Sequence, residues 1–125
     1  MEPKTYALTE TEEKFAALIW QHAPVASSKL AALAETEFGW KKSTTYTMLK
    51  RLENKQVFAN DHGTVRALVT AEELAAAETA HFVQKTFGGS LPRFLAAFSR
   101  EKALSAAEVD ALQQLIDAAR AQKGE

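Results

Sequence analysis

Residues 41–55 have the sequence KKSTTYTMLKRLENK, the most informative segment of the chain. On a helix, four of its side chains fall at i, i+3, i+4 and i+7: Thr45, Met48, Leu49 and Leu52. This spacing is typical of one narrow apolar face that packs on a core. The segment is therefore predicted to be an amphipathic helix whose other face is left for a partner.

That other face combines small hydroxyls with long cations: Lys42, Ser43, Tyr46, Thr47, Lys50 and Lys55, with Arg51 at its border. Hydroxyls can donate to or accept from base edges, and cations neutralise phosphates. From Lys41 to Arg66, six Lys or Arg residues stand against two acids, Glu53 and Asp61, a local charge of +4 in a chain of net charge −1. The pattern favours a nucleic-acid-binding helix, with a merely solvated basic helix as the alternative.

Composition limits the class of protein. A chain of 125 residues is the size of one domain, or of one small domain with an appendage. A pI near 6.3 argues against a general polycation, so nucleic-acid binding must come from a local patch. The chain has no cysteine, which excludes disulfides and thiolate metal sites. No metal or cofactor is expected.

The cellular location is predicted from the ends and from hydropathy. The opening residues, Met1–Tyr6, lack the basic start and apolar run of a signal peptide. The longest apolar stretches are too short to span a bilayer. A cytoplasmic protein with no direct membrane insertion is expected.

Two further helices are predicted before the basic one. Thr9 and Glu12 form a capping box for the first helix, which Pro24 ends. Ser27 is expected to cap the second, and Gly39 supplies its left-handed exit. Two helices joined by a short glycine-containing turn, the second basic and rich in hydroxyls, are typical of a helix-turn-helix.

After Lys55 the apolar period changes from 3.6 to 2, which predicts strands at 57–60 and 65–69 around the turn Asp61-His62-Gly63-Thr64. A small hairpin after a recognition helix is a wing. His62 at its tip and Arg66 on its strand are expected to contact phosphate or sugar, although His62 is equally compatible with a plain turn residue. The predicted fold is mainly α: a winged helix-turn-helix at residues 1–73 and a helical dimerisation region at 74–125.

The C-terminal region is expected to form three helices, with Thr70–Glu73 and Ser105–Glu108 as capping boxes and 118–125 as a frayed tail. About fifty residues make a poor independent core, so these helices are expected to pack against a second copy. The residues assigned to this dimer are Leu74, Phe82, Phe87, Phe94, Leu95, Phe98, Leu112, Leu115 and Ile116. The alternative is that the helices fold back on their own wing domain.

The sequence also bears on classes of function other than a DNA-binding protein. An enzyme is not expected, because the histidines are scattered and no zinc-protease or phosphate-loop motif occurs. Two alternatives stay open: a winged helix that contacts another protein, and a DNA reader released by a small ligand. Such a ligand would lie in a pocket lined by His81, Phe82, Phe94 and Phe98, although aromatic residues at this spacing more often form a core.

The chain resembles the beta-lactamase and methicillin-resistance repressors, with the related copper-responsive repressors (the BlaI/MecI/CopY group). The resemblance spans roughly Leu8 to Asp117 and is carried by four segments: Leu8-Thr9 with Glu12, Leu18–Trp20, residues 43–55, and Phe87–Leu91. It implies a homodimeric winged-helix repressor that binds an inverted-repeat operator. In the antibiotic-responsive members, a membrane-bound sensor metalloprotease triggers cleavage in the C-terminal region.

Carried over by position, the family's DNA contacts fall on Ser43, Thr44, Tyr46, Thr47 and Arg51. The residues themselves add Lys41, Lys42, Lys50 and Arg66 as phosphate contacts. The family's cleavage point matches the bond between Ala97 and Phe98, but the beta-lactam repressors have Asn where this chain has Ala97. The cysteine motif of the copper-responsive members is absent, so copper sensing by that route is excluded, and the inducing signal stays open.

Overall fold

The computed structural model of the chain describes residues 6–124, and 71% helix in six helices makes it mainly α, as predicted. Residues 1–5 and 125 lie outside this range. They include the first residue of the predicted winged-helix domain, the last residue of the predicted dimerisation region, and most of the N-terminal segment in which no signal peptide is expected. The elements in chain order are α1 (Glu10–His22), β1 (Val25–Ala26), α2 (Ser27–Phe38), α3 (Lys42–Asn54), β2 (Phe58–Asp61), β3 (Thr64–Ala67), α4 (Ala71–Phe87), α5 (Leu91–Glu101) and α6 (Ala106–Gly124).

Helices α1 to α3 form the helix-turn-helix unit. The predicted capping box starts α1: the Glu12 N–H donates to Thr9 Oγ1 at 3.1 Å, and the Thr9 N–H donates to Glu12 Oε1 at 2.8 Å. Helix α2 ends at Gly39, whose φ of 71° is the left-handed conformation that favours glycine. The chain then turns into α3, whose predicted apolar stripe is buried along its whole length.

The wing is a three-stranded antiparallel sheet in the order β1-β3-β2, so the predicted hairpin is confirmed but incomplete. The missed strand, Val25–Ala26, pairs with the middle strand through Val25 opposite Val65. Its two residues are too few to show a period of two, and the segment was expected only to lead into α2. The hairpin strands also begin and end within a few residues of the expected bounds.

One apolar core lies between α1, α2, α3 and the sheet. Its largest fully buried side chains are Phe15, Ile19, Leu30, Leu49, Leu52, Val57, Phe58 and Val65. Trp20 packs at its edge, with its ring 5.3 Å from that of Phe58 and its Nε1–H donating to the Val69 carbonyl at 2.9 Å. This bond holds the segment after the wing against α1.

The first turns of α4 belong to the same packing unit. Leu74 is buried in the core cluster, and the Tyr6 N–H donates to Glu78 Oε1 at 2.9 Å. The assignment of Leu74 to a dimer interface is therefore wrong, because its side chain is already buried within its own chain. The packing of the N-terminal unit also continues past the domain boundary expected at residue 73.

Helices α4 and α6 begin at the predicted capping boxes, and α5 and α6 pack differently from α1 to α3. Thr70 and Glu73 form the capping box of α4, Ser90 Oγ accepts from the Arg93 N–H, and Ser105 and Glu108 bond reciprocally at the start of α6. Helix α6 continues to Gly124, so the frayed tail expected from residue 118 is wrong over its described part. Among the described residues, neither α5 nor α6 contains a buried side chain.

Candidate nucleic-acid interface

The polar face of α3 is open to solvent opposite the core. The apolar stripe fixes the rotation of the helix, so the predicted contacts on the far side point outward. Six of them are exposed on the helix and one at its N-cap: Lys42, Ser43, Thr44, Thr47, Lys50 and Arg51, with Lys41 before them. Hydroxyls therefore lie in the N-terminal half of the face and a pair of cations farther along it.

Tyr46 differs from the other predicted contacts. Its side chain is half-buried and its ring packs against the core cluster. The ring therefore helps to hold α3 on the core, which leaves less of the side chain for a partner. Its position at i+3 from Ser43 shows why sequence spacing alone assigned it to the outer face.

The N-termini of α2 and α3 lack a feature that the other helices have. Helices α1, α4, α5 and α6 all carry a Ser or Thr side-chain cap, whereas α2 and α3 have no side-chain cap and no acid in the first turn. Ser27 is the first residue of α2 rather than its cap, contrary to prediction; Ala26 occupies the cap position. Backbone N–H groups at such ends, with the positive end of the helix dipole, suit anions such as phosphate.

The wing tip is held next to the start of α2. His62 and Gly63 both have positive φ, 53° and 92°, as a type I′ hairpin turn requires. The Gly63 N–H donates to Asn60 Oδ1 at 3.0 Å, and the Gly63 carbonyl accepts from the Ser27 N–H at 2.8 Å. These bonds make the tip and the N-terminus of α2 one continuous surface, with the His62 side chain exposed on it.

Arg66 is exposed on β3 but is not an independent cation. Its Nε–H donates to Asp61 Oδ2 on the neighbouring strand, and both side chains are about half exposed, at 54% and 53%. The wing strands therefore carry a balanced pair rather than the single free charge expected from the sequence. Sequence reasoning counted Asp61 in the charge balance but did not pair it.

Lys55 also points away from the exposed basic face of α3, because it binds residues at the start of α1 and just before it. Its Nζ donates to Glu12 Oε1 at 2.6 Å and to the Ala7 carbonyl at 2.8 Å, and the Glu12 side chain is only 2% exposed. Burial raises the pKa of the Glu12 carboxyl, but the hydrogen bonds from Lys55 and Thr9 and the charge of Lys55 outweigh it and lower that pKa below its usual value. Lys55 thus joins the end of α3 to the start of α1 instead of facing a partner.

Of the six cations in residues 41–66, two are held in ion pairs within the described part of the chain: Lys55 and Arg66. Four cations of the segment make no ion pair there: Lys41, Lys42, Lys50 and Arg51. All four belong to α3 or its N-cap. The free positive charge is therefore concentrated on the helix that also carries the exposed hydroxyls.

A second surface, of apolar side chains, lies on the C-terminal helices. Large exposed apolar residues of this part are Phe82, Leu91, Phe98, Val109, Leu115 and Ile116. Four phenylalanine rings, those of Phe82, Phe87, Phe94 and Phe98, lie edge to face or stacked with centroids 5.8–6.3 Å apart. Leu95 and Leu112 are half-buried beside a groove of about 350 Å³ between α5 and α6. Exposed apolar patches of this kind are typical of protein interaction sites or ligand-binding grooves.

The predicted cleavage bond and the predicted ligand pocket both lie in the C-terminal helices. The Ala97–Phe98 bond lies inside α5, where the Lys102 N–H donates to the Phe98 carbonyl at 3.0 Å. A small cavity of about 200 Å³ is lined by Phe82, Phe87, Phe94, Ala97 and Phe98, without His81, so the predicted ligand pocket is wrong in that member.

No cluster of three potential metal ligands occurs among residues 6–124. None of the described helices combines the length and hydropathy needed to cross a bilayer.

Comparison with known proteins agrees with this geometry. The family model for penicillinase repressors matches residues 8–118, from the residue before the first capping box to the middle of α6. A search of curated proteins found no match. The match includes the helix-turn-helix, the wing and most of the C-terminal helices. The chain belongs to the penicillinase repressor family, and it is a DNA-binding transcriptional repressor with a winged helix.

Proposed function

We propose that the chain represses transcription as a homodimer that places α3 of each copy in the major groove of an inverted-repeat operator. The observation that carries this proposal is the division of α3: one face is buried in the core, and the other exposes hydroxyls and all four unpaired cations of residues 41–66. The major groove of B-DNA admits one α-helix. A helix held rigidly by its buried face can enter the groove without rearrangement.

The exposed residues divide into two roles. Lys41, Lys42, Lys50 and Arg51 neutralise phosphates and release counterions, which contributes affinity at every sequence. Ser43, Thr44 and Thr47 contact base edges. The part of the Tyr46 side chain that is not packed on the core contacts the DNA beside them. Hydroxyl groups are versatile readers, so thymine methyl contacts, water bridges and DNA shape add to the selectivity.

The ends of two helices and the wing complete the contact. The uncapped N-termini of α2 and α3 present backbone N–H groups that suit phosphate oxygens. The bond from Ser27 to Gly63 supports a phosphate contact from the wing tip beside them, through His62 and Arg66. Recognition then depends on a surface in which helix-turn-helix and wing are connected by backbone hydrogen bonds.

Anisotropy measurements with labelled duplexes test this division. The matched duplex is selected from a random-sequence pool with the wild-type protein, and the second is its scrambled form. Arg51→Ala should weaken binding to both duplexes and lower the slope of log K against log salt by about 0.9, the value for one phosphate contact. Thr47→Val should instead change the ratio between the duplexes.

Arg100→Ala, on the exposed face of α5 opposite Leu91 and Phe98, is the matched control and should leave both affinities unchanged. Equal losses for Arg51→Ala and Thr47→Val on both duplexes would overturn the division of roles. A wild-type protein that selects no duplex at low salt would instead favour the protein-contact alternative.

The dimer is supported by the lack of a core in α5 and α6. Their apolar side chains stay accessible in the single chain, and the α5–α6 groove is lined by Phe94, Leu95, Phe98, Leu104, Glu108, Ala111, Leu112 and Leu115. A second copy removes this surface from water, which is the main favourable term in association. Two-fold symmetry then requires half-sites about 10 base pairs apart, or a multiple of that distance.

Sedimentation velocity tests the dimer with two variants of α6. Leu115, a residue that is 67% exposed, belongs to the apolar stripe, whereas Gln114 lies on the opposite face of the helix. Leu115→Asp should dissociate the dimer because a buried unpaired charge is costly. Gln114→Asp adds the same charge and should stay dimeric. A wild-type chain that sediments as a monomer at micromolar concentration would refute the dimer.

Release from DNA is proposed to follow cleavage at Ala97–Phe98, through a sensor metalloprotease or a protease that acts after it. Cleavage there separates the winged helix from most of the apolar surface. The bond lies in the middle of α5, so the helix must open before a protease can bind an extended segment. A ligand in the α5–α6 groove is the competing inducer. Mass spectrometry of the repressor from induced cells distinguishes a cut chain from an intact one.

A further inference from the structure

The outer face of the wing carries an acid where a DNA-binding surface would be expected to carry none. Asp61 lies opposite Thr64, and Arg66 lies opposite Ala59, in the β2–β3 register. Directly opposed residues share a face and successive residues alternate, so Asp61 and Arg66 lie diagonally on the face away from the fully buried Val65. An acid so close to phosphates needs an explanation.

The atoms used in the pair suggest one. Arg66 donates to Asp61 through Nε, which leaves its two terminal Nη groups for another acceptor. A guanidinium held at Nε can therefore bind a phosphate through Nη while it keeps its bond to the carboxylate. The carboxylate fixes the direction in which the remaining N–H groups point.

The backbone under Asp61 is well anchored. The adjacent turn is closed by the bond from Gly63 to Asn60 and tied to α2 by the bond from Ser27 to Gly63. The backbone of Asp61 is therefore fixed relative to the helix-turn-helix unit, and its short side chain can hold Arg66 close to the same unit. A long side chain that would otherwise lose rotamer freedom on binding is ordered beforehand.

We propose that Asp61 is a positioning residue that orients the Arg66 guanidinium toward a DNA phosphate beside the wing. The proposal rests on the wing contact described under Proposed function. It makes a prediction opposite in sign to that of simple charge counting. Removal of an acid near DNA should strengthen binding if charge alone matters, whereas removal of a positioning acid should weaken it.

Anisotropy with the selected duplex tests the sign. Arg66→Ala should weaken binding by roughly tenfold, the order expected for one charge-assisted hydrogen bond, and lower the salt slope by about 0.9. Asp61→Ala should weaken binding by roughly threefold, as part of that bond is lost. Asp61→Asn keeps an acceptor oxygen for Nε and should stay within about twofold of the wild type.

The double variant separates positioning from an effect on the hairpin itself. If Asp61 acts through Arg66, Asp61→Ala should cause no further loss in a chain that already carries Arg66→Ala. Thermal melts of each variant check that the wing remains folded. The proposal is overturned if Asp61→Ala binds as tightly as the wild type or more tightly, or if its loss persists without Arg66.

An Arg66→Ala variant that binds normally would remove the wing contact and this proposal with it. The α3 contacts would still be tested separately by Arg51→Ala. Failure of the positioning role and failure of the proposed function are therefore distinguishable in one set of measurements.

Discussion

The two halves of this chain treat their apolar side chains in opposite ways. Residues 12–74 bury most of theirs in one core that includes Phe15, Leu52 and Phe58, all fully inaccessible. Helices α5 and α6, with comparable apolar residues, bury none of theirs among the described positions. The difference shows that helix formation and core formation are separate: caps and spacing suffice for α5 and α6 as helices, but their apolar faces remain without a core.

The largest effect should distinguish these two kinds of packing. Leu52→Ala should lower the free energy of unfolding by about 3 kcal/mol, because it leaves a cavity in a closed core. Leu115→Ala should instead reduce the rise of the melting temperature with protein concentration, since in the proposed dimer its partner atoms come from another chain. Calorimetry over a hundredfold range of concentration measures both. A Leu52→Ala defect that disappears at high concentration would contradict the comparison.

The next effect concerns the ion pair that joins α3 to α1. Lys55→Met should destabilise the N-terminal unit by about 2 kcal/mol, because it leaves the buried Glu12 carboxylate without its cation; this is below the usual range for buried pairs since Lys55 is 30% exposed. Lys50→Met, on the exposed face of the same helix, is the control and should change stability little. Urea denaturation measures the two, and equal values would show that the pair contributes nothing.

The same carboxylate should make stability depend on pH. The pKa of Glu12 is lowered from an ordinary value of 4.5, since burial raises it but the Lys55 and Thr9 contacts prevail. Below about pH 4.5 the unfolded chain therefore binds more protons than the folded one, so stability falls as the pH drops through the folded pKa. Glu12→Gln should flatten this part of the profile.

Glu108 provides the contrast in the other half. Its pKa is also lowered, by hydrogen bonds with Ser105, but its side chain is fully exposed at the start of α6. The free energy of unfolding, measured by urea denaturation at a series of pH values, falls at acid pH. Glu108→Gln should reduce this fall less than Glu12→Gln does. An equal loss of unfolding free energy at acid pH in the wild type and in Glu12→Gln would rule out the role given to the buried carboxylate.

The smallest effect should arise at the wing tip. His62 has a φ of 53°, a conformation that Asn adopts more readily, and the type I′ turn favours Asn before Gly. His62→Asn should stabilise the chain by about 0.5 kcal/mol. Gly63→Ala, at a φ of 92°, should destabilise it by about 1 kcal/mol or more although nothing lies near the added Cβ. Thermal melts of both should show shifts of opposite sign.

Much of the fold could be predicted because its signals are local. The capping boxes at Thr9, Thr70 and Ser105 each depend on two residues three positions apart, and all three are present. The buried stripe of α3 follows from a spacing within eight residues. The type I′ turn follows from His62 and Gly63 with their neighbours. In each case the decisive contacts lie within one or two helical turns.

The errors concern contacts between distant residues. The strand at Val25–Ala26 forms only because Val65, forty positions later, lies beside it. Lys55 left the basic face because Glu12, 43 positions earlier, receives its ammonium group. Leu74 was assigned to the dimer together with the other apolar residues of 74–125, yet its side chain enters the core of the N-terminal unit.

The amino-acid sequence by itself determined which segments are helical, where they begin, and that one basic helix has one apolar face and one polar face, because these properties depend on neighbours along the chain. Only the tertiary structure decided which of the cations stay unpaired, that the wing contains a third strand, and that α5 and α6 remain without a core. Those properties depend on which distant side chains meet, and burial and pairing energies act only after the chain has brought them together.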